Sequence, residues 1–188
     1  MAQMGLKYMS WAPIATDTET AIPTYTSADG FTVGKTVSLN VAVSNSEGEL
    51  YADDMLVEYA AEFSSAELTA ELDNISLDNL ATLLGSTYSE EDGFSAKKDD
   101  TAPYGGVGGI QTLMVGGVKK WRAWFYPKAK AQMPDVDGST KGSSISFATQ
   151  SLKMKITSPN FGPWYYAKDF TSESEAKTWI DTKLGKTA

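Results

Sequence analysis

From Phe31 to Val43 the chain alternates with period two. Phe31, Val33, Val37, Leu39, Val41 and Val43 occupy the odd positions, broken only by Lys35, and Thr32, Gly34, Thr36, Ser38, Asn40 and Ala42 occupy the even ones. Successive side chains of an extended strand point to opposite faces, so this stretch buries one face and wets the other. That commits the chain to antiparallel sheet, where such half-buried strands belong. Met55 to Leu72 repeats the pattern but changes phase near Ser64-Ser65: Val57, Tyr59, Ala61 and Phe63 share one face before it, and Ala66, Leu68, Ala70 and Leu72 share one after it. A bulge or tight turn is expected there, because a uniform register would expose half of these residues.

The remaining segments complete a mainly β map. Lys7 to Ile14 reads as a first strand, Ala15 to Gly30 as a connector or arm, and Asn45 to Gly48 as a turn. Ser76 can cap a short helix carrying Leu77, Leu80, Leu83 and Leu84, with Asp78 in its first turn and Gly85 at its end. Ser86 to Gly106 is polar and aperiodic and reads as a long surface loop. Val107 to Val115 and Val118 to Ala131 form a hairpin about Gly116-Gly117. Met133 to Gly142 is a polar turn region, Ser143 to Thr157 a strand with its own phase change, and Trp164 to Lys168 a last short strand. The chain closes with a helix over 172–184. It has a capping box from Ser172 to Glu175 and an apolar stripe of Ala176, Trp179, Ile180 and Leu184. Burial of Trp179 predicts a cost of about 3–5 kcal/mol for Trp179→Ala. The expected architecture is a single domain over 1–188: a β-sandwich or partial barrel with one short internal helix and a C-terminal helix on its flank.

At 188 residues the chain can bury roughly 70% of its unfolded surface, enough for one core without staples. It has no Cys and no His. Disulfides, thiol nucleophiles and the usual histidine base are therefore excluded, along with the commonest transition-metal ligand. No apolar run approaches the roughly 20 residues needed to span a bilayer, and the first residues lack a basic flank before an apolar run. The expectation is a protein made and used in aqueous surroundings, with no membrane insertion and no cofactor or metal.

Charge is unevenly placed. Residues 1–100 carry 18 acidic and 4 basic side chains, whereas residues 101–188 carry 6 and 12, giving −14 and +6 within a total of −8. Acidic and basic strands could pair inside one sheet, or opposite charges could mark opposite rims of a subunit that repeats head to tail. Three motif-like strings fail on context. Gly30 to Thr36 is one residue short of a phosphate-binding loop, and its Lys35 lies in an alternating strand rather than before a helix. Ser95-Ala96-Lys97-Lys98 sits in a polar loop with nothing else of an acyl-transfer site, and Asp135-Val136-Asp137-Gly138 lacks the later ligands of a calcium loop. The run Gly105-Gly106-Val107-Gly108-Gly109 fits backbone flexing or close packing at the loop-to-strand junction.

In order along the chain stand Gly5-Leu6-Lys7, Val33-Gly34-Lys35, Leu50-Tyr51-Ala52-Asp53-Asp54, Glu62-Phe63, Leu83-Leu84-Gly85, Pro127-Lys128, Ser144-Ile145-Ser146-Phe147 and a terminal helix with Ala176 and Trp179. In this ordered set the chain resembles the major tail protein, or tail tube protein, of siphovirus-type phages and prophages of Gram-positive bacteria. The resemblance implies a structural virion protein made in the host cytoplasm. Six copies would form a ring, and rings would stack into the tube through which the genome leaves. Its implied partners are further copies of itself, the tape measure protein, the tail terminator and the distal tail protein, and DNA would pass without specific binding. Asn45 to Asp54 and Ser86 to Gly106 are the candidate segments reaching a neighbouring ring. Asp53, Asp54, Glu90, Glu91, Lys128, Lys130, Lys153 and Lys155 are the candidate contact residues, and no catalysis is implied.

Glu58, Glu62, Glu67 and Glu71 point away from the apolar face. They read as a solvated face or as an acidic wall that repels the phosphate backbone of passing DNA. Trp121, Trp124, Tyr126, Trp164, Tyr165 and Tyr166 support two uses. They could stack sugars in a monomeric carbohydrate-binding or adhesive module, or serve core and interface packing. A glycoside hydrolase built on two carboxylates is a third class, which needs a cleft.

Overall fold

The computed structural model describes residues 2–52, 55–135 and 149–186. Among the described residues, eleven strands and two α-helices follow in the order β1 (Ala2–Thr16), β2 (Thr24–Tyr25), β3 (Phe31–Gly34), β4 (Thr36–Ala52), β5 (Met55–Leu72), α1 (Leu77–Leu84), β6 (Thr87–Ser89), β7 (Gly93–Ser95), β8 (Tyr104–Val115), β9 (Val118–Ala131), β10 (Gln150–Ile156), β11 (Tyr166–Phe170) and α2 (Glu173–Lys183). The fold is mainly β, as its periodicities require. Nine strands make one antiparallel sheet along the path β2-β1-β8-β9-β10-β5-β4, with β11 on β9 and β3 on β1. Only Lys35 separates β3 from β4, yet β3 pairs with β1 and β4 with β5. The sheet therefore turns back on itself as a partial barrel that is not closed by hydrogen bonds, since its path ends at β2 and β4.

The strand β9 explains how the two cores are divided. Its Trp124 and Tyr126 face the barrel interior with Trp11, Leu68, Leu152, Met154 and Ile156, and α1 adds Leu80, Leu83 and Leu84 to this cluster. The alternate residues Ala123 and Phe125 face outward beneath α2, against Ala176, Ile180 and Leu184. Both faces of β9 are covered, so its middle reads as a continuous buried run.

Several expectations need correction. The first strand is longer than Lys7 to Ile14, and the connector after it holds β2 and a 3-10 turn over Ser27–Asp29. Asn45 to Gly48 is no turn: it continues β4, because β5 supplies a ladder opposite it. Ser86 to Gly106 is no single loop. It contains the β6–β7 hairpin, and β8 begins at Tyr104. The last strand is displaced to Tyr166–Phe170. Of the strand expected over Ser143 to Thr157, the described part is β10, while Ile145 and Phe147 lie outside the described residues.

Both helices form, with different caps. The Asn79 N–H donates to Ser76 Oγ at 3.4 Å, and Gly85 ends α1 at φ 66°. Ser172 occupies the N-cap of α2 but makes no side-chain cap bond, so the expected capping box is not formed. Ala176 and Ile180 of α2 and its C-cap Leu184 are fully buried, whereas Trp179 is half-buried beside Phe170. The loss expected for a fully buried Trp179 ring is reduced accordingly. Tyr8 lies at φ 56° where β1 breaks register between Lys7 and Ser10. Its hydroxyl donates to Asp181 Oδ1 of α2 at 2.6 Å, and Lys177 stands over its ring.

Candidate interaction surface

β10 pairs with β5 only from Ala66 to Leu72. Beyond Ala66 the ladder of β4 and β5 continues alone, from Ser44↔Ser65 to Ala52↔Met55. Residues 44–52 and 55–65 thus form a two-stranded arm. Its outer backbone groups have no strand partner among the described residues, and such edges are templates for another chain. An isolated two-stranded ribbon is marginally stable in water. The arm also exposes Val43 at its root (50%), Met55 (70%) and Tyr59 (52%). Asp53 and Asp54 lie outside the described residues.

The phase change is a bulge at Ser64, since Ser44 pairs with Ser65 and Asn45 with Phe63. It brings Glu58, Glu62, Glu67 and Glu71 onto one face, in register with Leu50, Ser46, Ala42 and Ser38. The row nevertheless divides into two halves. Glu67 is opposite Lys155 on β10, Lys153 is opposite Thr69 between the two lower glutamates, and Glu71 Oε2 accepts the Thr149 hydroxyl at 2.8 Å. Glu58 and Glu62, on the arm, have no cationic register partner and are exposed. From Thr36 to Ala96 the chain contains no Lys or Arg at all.

The expected contact lysines behave differently from one another. Lys128 Nζ is committed within the subunit to Asp17 Oδ2, 2.6 Å away in a largely buried pair. Lys128 and Lys130 both stand over the Tyr104 ring. Lys153 approaches Asp135 at 3.5 Å, and Lys155 is the register partner of Lys130. Glu90 and Glu91 occupy the exposed turn of the β6–β7 hairpin. Sequence reasoning missed Lys119 and Lys120, which directly follow the exposed β8–β9 turn. The Gly116-Gly117 pair was the available signal.

Antiparallel pairing fixes which end each element reaches. The arm and the β8–β9 turn leave the same end of the sheet, because β5 and β9 run in the same direction through their common neighbour β10. At the other end, Ala96, Lys97 and Ala102 of the segment between β7 and β8 gather with Leu84, Ala131 and Met133.

The aromatic group packs on itself. Trp164 stacks on Phe63 at 3.9 Å and 7°, Tyr126 meets Tyr165 at 5.1 Å and Trp164 at 6.2 Å, and Trp124 meets Tyr126 at 5.6 Å. Trp121 and Tyr166 pack against the α2 cluster. Phe63 thus covers one face of Trp164, and Tyr165 remains 39% exposed. A groove of about 670 Å³ runs between β1, β3 and the start of α1, lined by Tyr8, Val33, Lys35, Asn74 and Asn79. It holds one carboxylate, Asp73, whose Oδ1 accepts the N–H groups of Lys35 and Asn74. These bonds, the Lys35 one first, keep its pKa below the ordinary carboxylate value. Two-carboxylate glycoside chemistry needs a second acid there. Lys35 itself lies between two strands, not before a helix. Among the described residues no cluster of three or more Asp or Glu is placed to hold a metal ion, and no helix is long and apolar enough to cross a membrane.

No protein-family model matches the chain, and no curated protein matches it.

Proposed function

We propose that this chain is a tail tube subunit, assembling into rings that stack as a conduit for a genome. The observation that carries the reading is the β4–β5 arm, a ribbon whose two edges have no strand partner among the described residues, with exposed Met55 and Tyr59 and with acidic side chains without basic ones. A ribbon of this kind gains stability by adding to or lying on another copy, and a repeating contact of that kind is heterologous. Charge placement supports the same reading: the arm is acidic, while Lys119 and Lys120 beside the β8–β9 turn lie at the same end of the sheet, so that end offers both signs of charge to a neighbouring copy. The polar sheet face bearing Glu67, Glu71, Lys153 and Lys155 is the candidate lumen surface, over which DNA passes without specific binding. Further copies are the principal partners, and tape measure, terminator and distal tail proteins are the partners of the tube ends. The work done is assembly, with no catalytic step.

Negative-stain electron microscopy at rising protein concentration, paired with mass in solution, tests this. Rings or hollow tubes of uniform width are expected. A monodisperse monomer at millimolar concentration, with and without the tube-end proteins, overturns the reading.

A further inference from the structure

We propose that Trp164 is the positioning residue of the arm, a latch that fixes the direction in which the arm leaves the barrel. Three observations converge on the arm's root. The bulge at Ser64 interrupts the β4–β5 ladder where β10 stops pairing, so backbone continuity alone leaves a bend at that point. Ala60, Ala61 and Glu62 are already exposed, and Phe63 is half-buried against the barrel cluster. The ring of Phe63 lies flat on Trp164, with centroids 3.9 Å apart and planes 7° from parallel.

Trp164 lies on the segment between β10 and β11 and is backed by Tyr126 of β9 and by Tyr165. Tyr126 in turn meets Trp124, which is buried in the barrel. A series of rings therefore runs from the core to the base of the arm. The segment carrying Trp164 is itself pinned, because the Asn160 N–H and side-chain amide donate to Asp17, which also receives Lys128. The stacked pair ties the base of the arm to the barrel aromatics, and tilting the arm about the bulge separates the two rings and forfeits that contact. The latch is a property of the single subunit. Its consequence for assembly rests on the tube reading, in which an arm held at one angle meets its neighbour without a prior search.

Hydrogen exchange on the monomer tests the latch without assembly. In Trp164→Ala, amides of residues 44–49 and 58–63 exchange about tenfold faster, the scale of losing one aromatic pair at a locally opening element. Those of β1 and β8 stay unchanged, and Trp164→Phe, which keeps a flat ring, recovers most of the protection. Phe63→Ala, which leaves the barrel aromatics in place, reproduces the arm effect. Unchanged arm exchange in Trp164→Ala overturns the proposal, as does a rise spread evenly over the sheet, which would make Trp164 an ordinary packing residue. A second readout separates the latch from the tube reading. If wild type forms tubes and Trp164→Ala forms them as fast, the positioning role fails while the tube reading stands. If wild type forms none, the exchange result still decides the latch.

Discussion

Lys128 Nζ and Asp17 Oδ2 lie 2.6 Å apart, with only 16% and 12% of their side chains exposed, although 111 residues separate them in the chain. The pair ties β9 to the connector after β1, and Asp17 Oδ1 also accepts the Asn160 N–H at 2.9 Å. Removing one partner leaves the other charge stranded away from water, which costs more than the pair itself contributes. Asp17→Ala is expected to lower stability by about 3–5 kcal/mol in denaturant melts, and adding Lys128→Met to recover part of that loss. Equal stability of the single and double variants would show that Lys128 finds water without Asp17.

Glycine in the β8 run is required by two indoles. A Cβ at Gly105 would run into the Trp11 ring, and one at Gly109 into the Trp124 ring. Both tryptophans are buried, so the rings must shift or the strands part. Gly105→Ala and Gly109→Ala are each expected to cost about 1–3 kcal/mol by overpacking, whereas Gly116→Ser, at an open turn, should be limited to the strain of its φ of 58°. Thermal melts that rank Gly116→Ser as the most damaging would contradict this.

The two halves of the glutamate row should separate under substitution. Glu67→Gln with Glu71→Gln removes the charges that face Lys155 and Lys153 and weakens the acceptor of the Thr149 hydroxyl, and should cost about 0.2–1 kcal/mol for each position. Glu58→Gln with Glu62→Gln should leave the monomer within about 0.5 kcal/mol of wild type, as surface changes do. Under the tube reading the second pair alters assembly and its salt dependence. Stability effects in the reverse order, read from urea melts, would place the packed face on the arm.

Arg122 and Asp169 make a two-bond pair at 2.7 and 2.9 Å between β9 and β11. The guanidinium hydrogen bonds hold the Asp169 carboxyl below its ordinary value of 3.8, with a smaller opposing push from desolvation. A depressed folded pKa means that the stabilisation is present above 3.8 and is lost as pH falls through the lower folded value. Both groups are about one-third exposed, so screening limits the effect to about 0.2–1 kcal/mol. Asp169→Asn should melt below wild type at pH 7, and the gap should close below pH 3.8. A gap that persists at pH 2 would assign the loss to packing.

The strand character of β4 and β5, the bulge at Ser64, the caps of α1 and the Gly116-Gly117 hairpin were legible because each depends on neighbours a few residues away, whereas the break at Lys35 and the exposure of Val37 and Val43 on the expected buried face were not. β6 and β7 were hidden, since three-residue strands in a polar segment leave no periodicity to detect. Asn45 to Gly48 looked like a turn by composition but became strand because β5 runs beside it. The glutamates could be assigned to one face but not divided, because Lys153 and Lys155 reach them only through the β10–β5 register. The six aromatics were visible as a set. Which of their faces would remain open depended on Phe63 and Trp164 meeting across 101 residues.

What the sequence determined by itself was the dominance of strand, the place of both helices and the absence of histidine and cysteine chemistry, all consequences of side-chain type and local period. Tertiary structure decided where β10 stops. Because β10 ends its pairing at Ala66, the same alternation that builds barrel wall below that residue becomes a free arm above it, and no local preference distinguishes the two. Burial and exposure of equivalent strand residues are set by long-range pairing, which only the assembled sheet supplies.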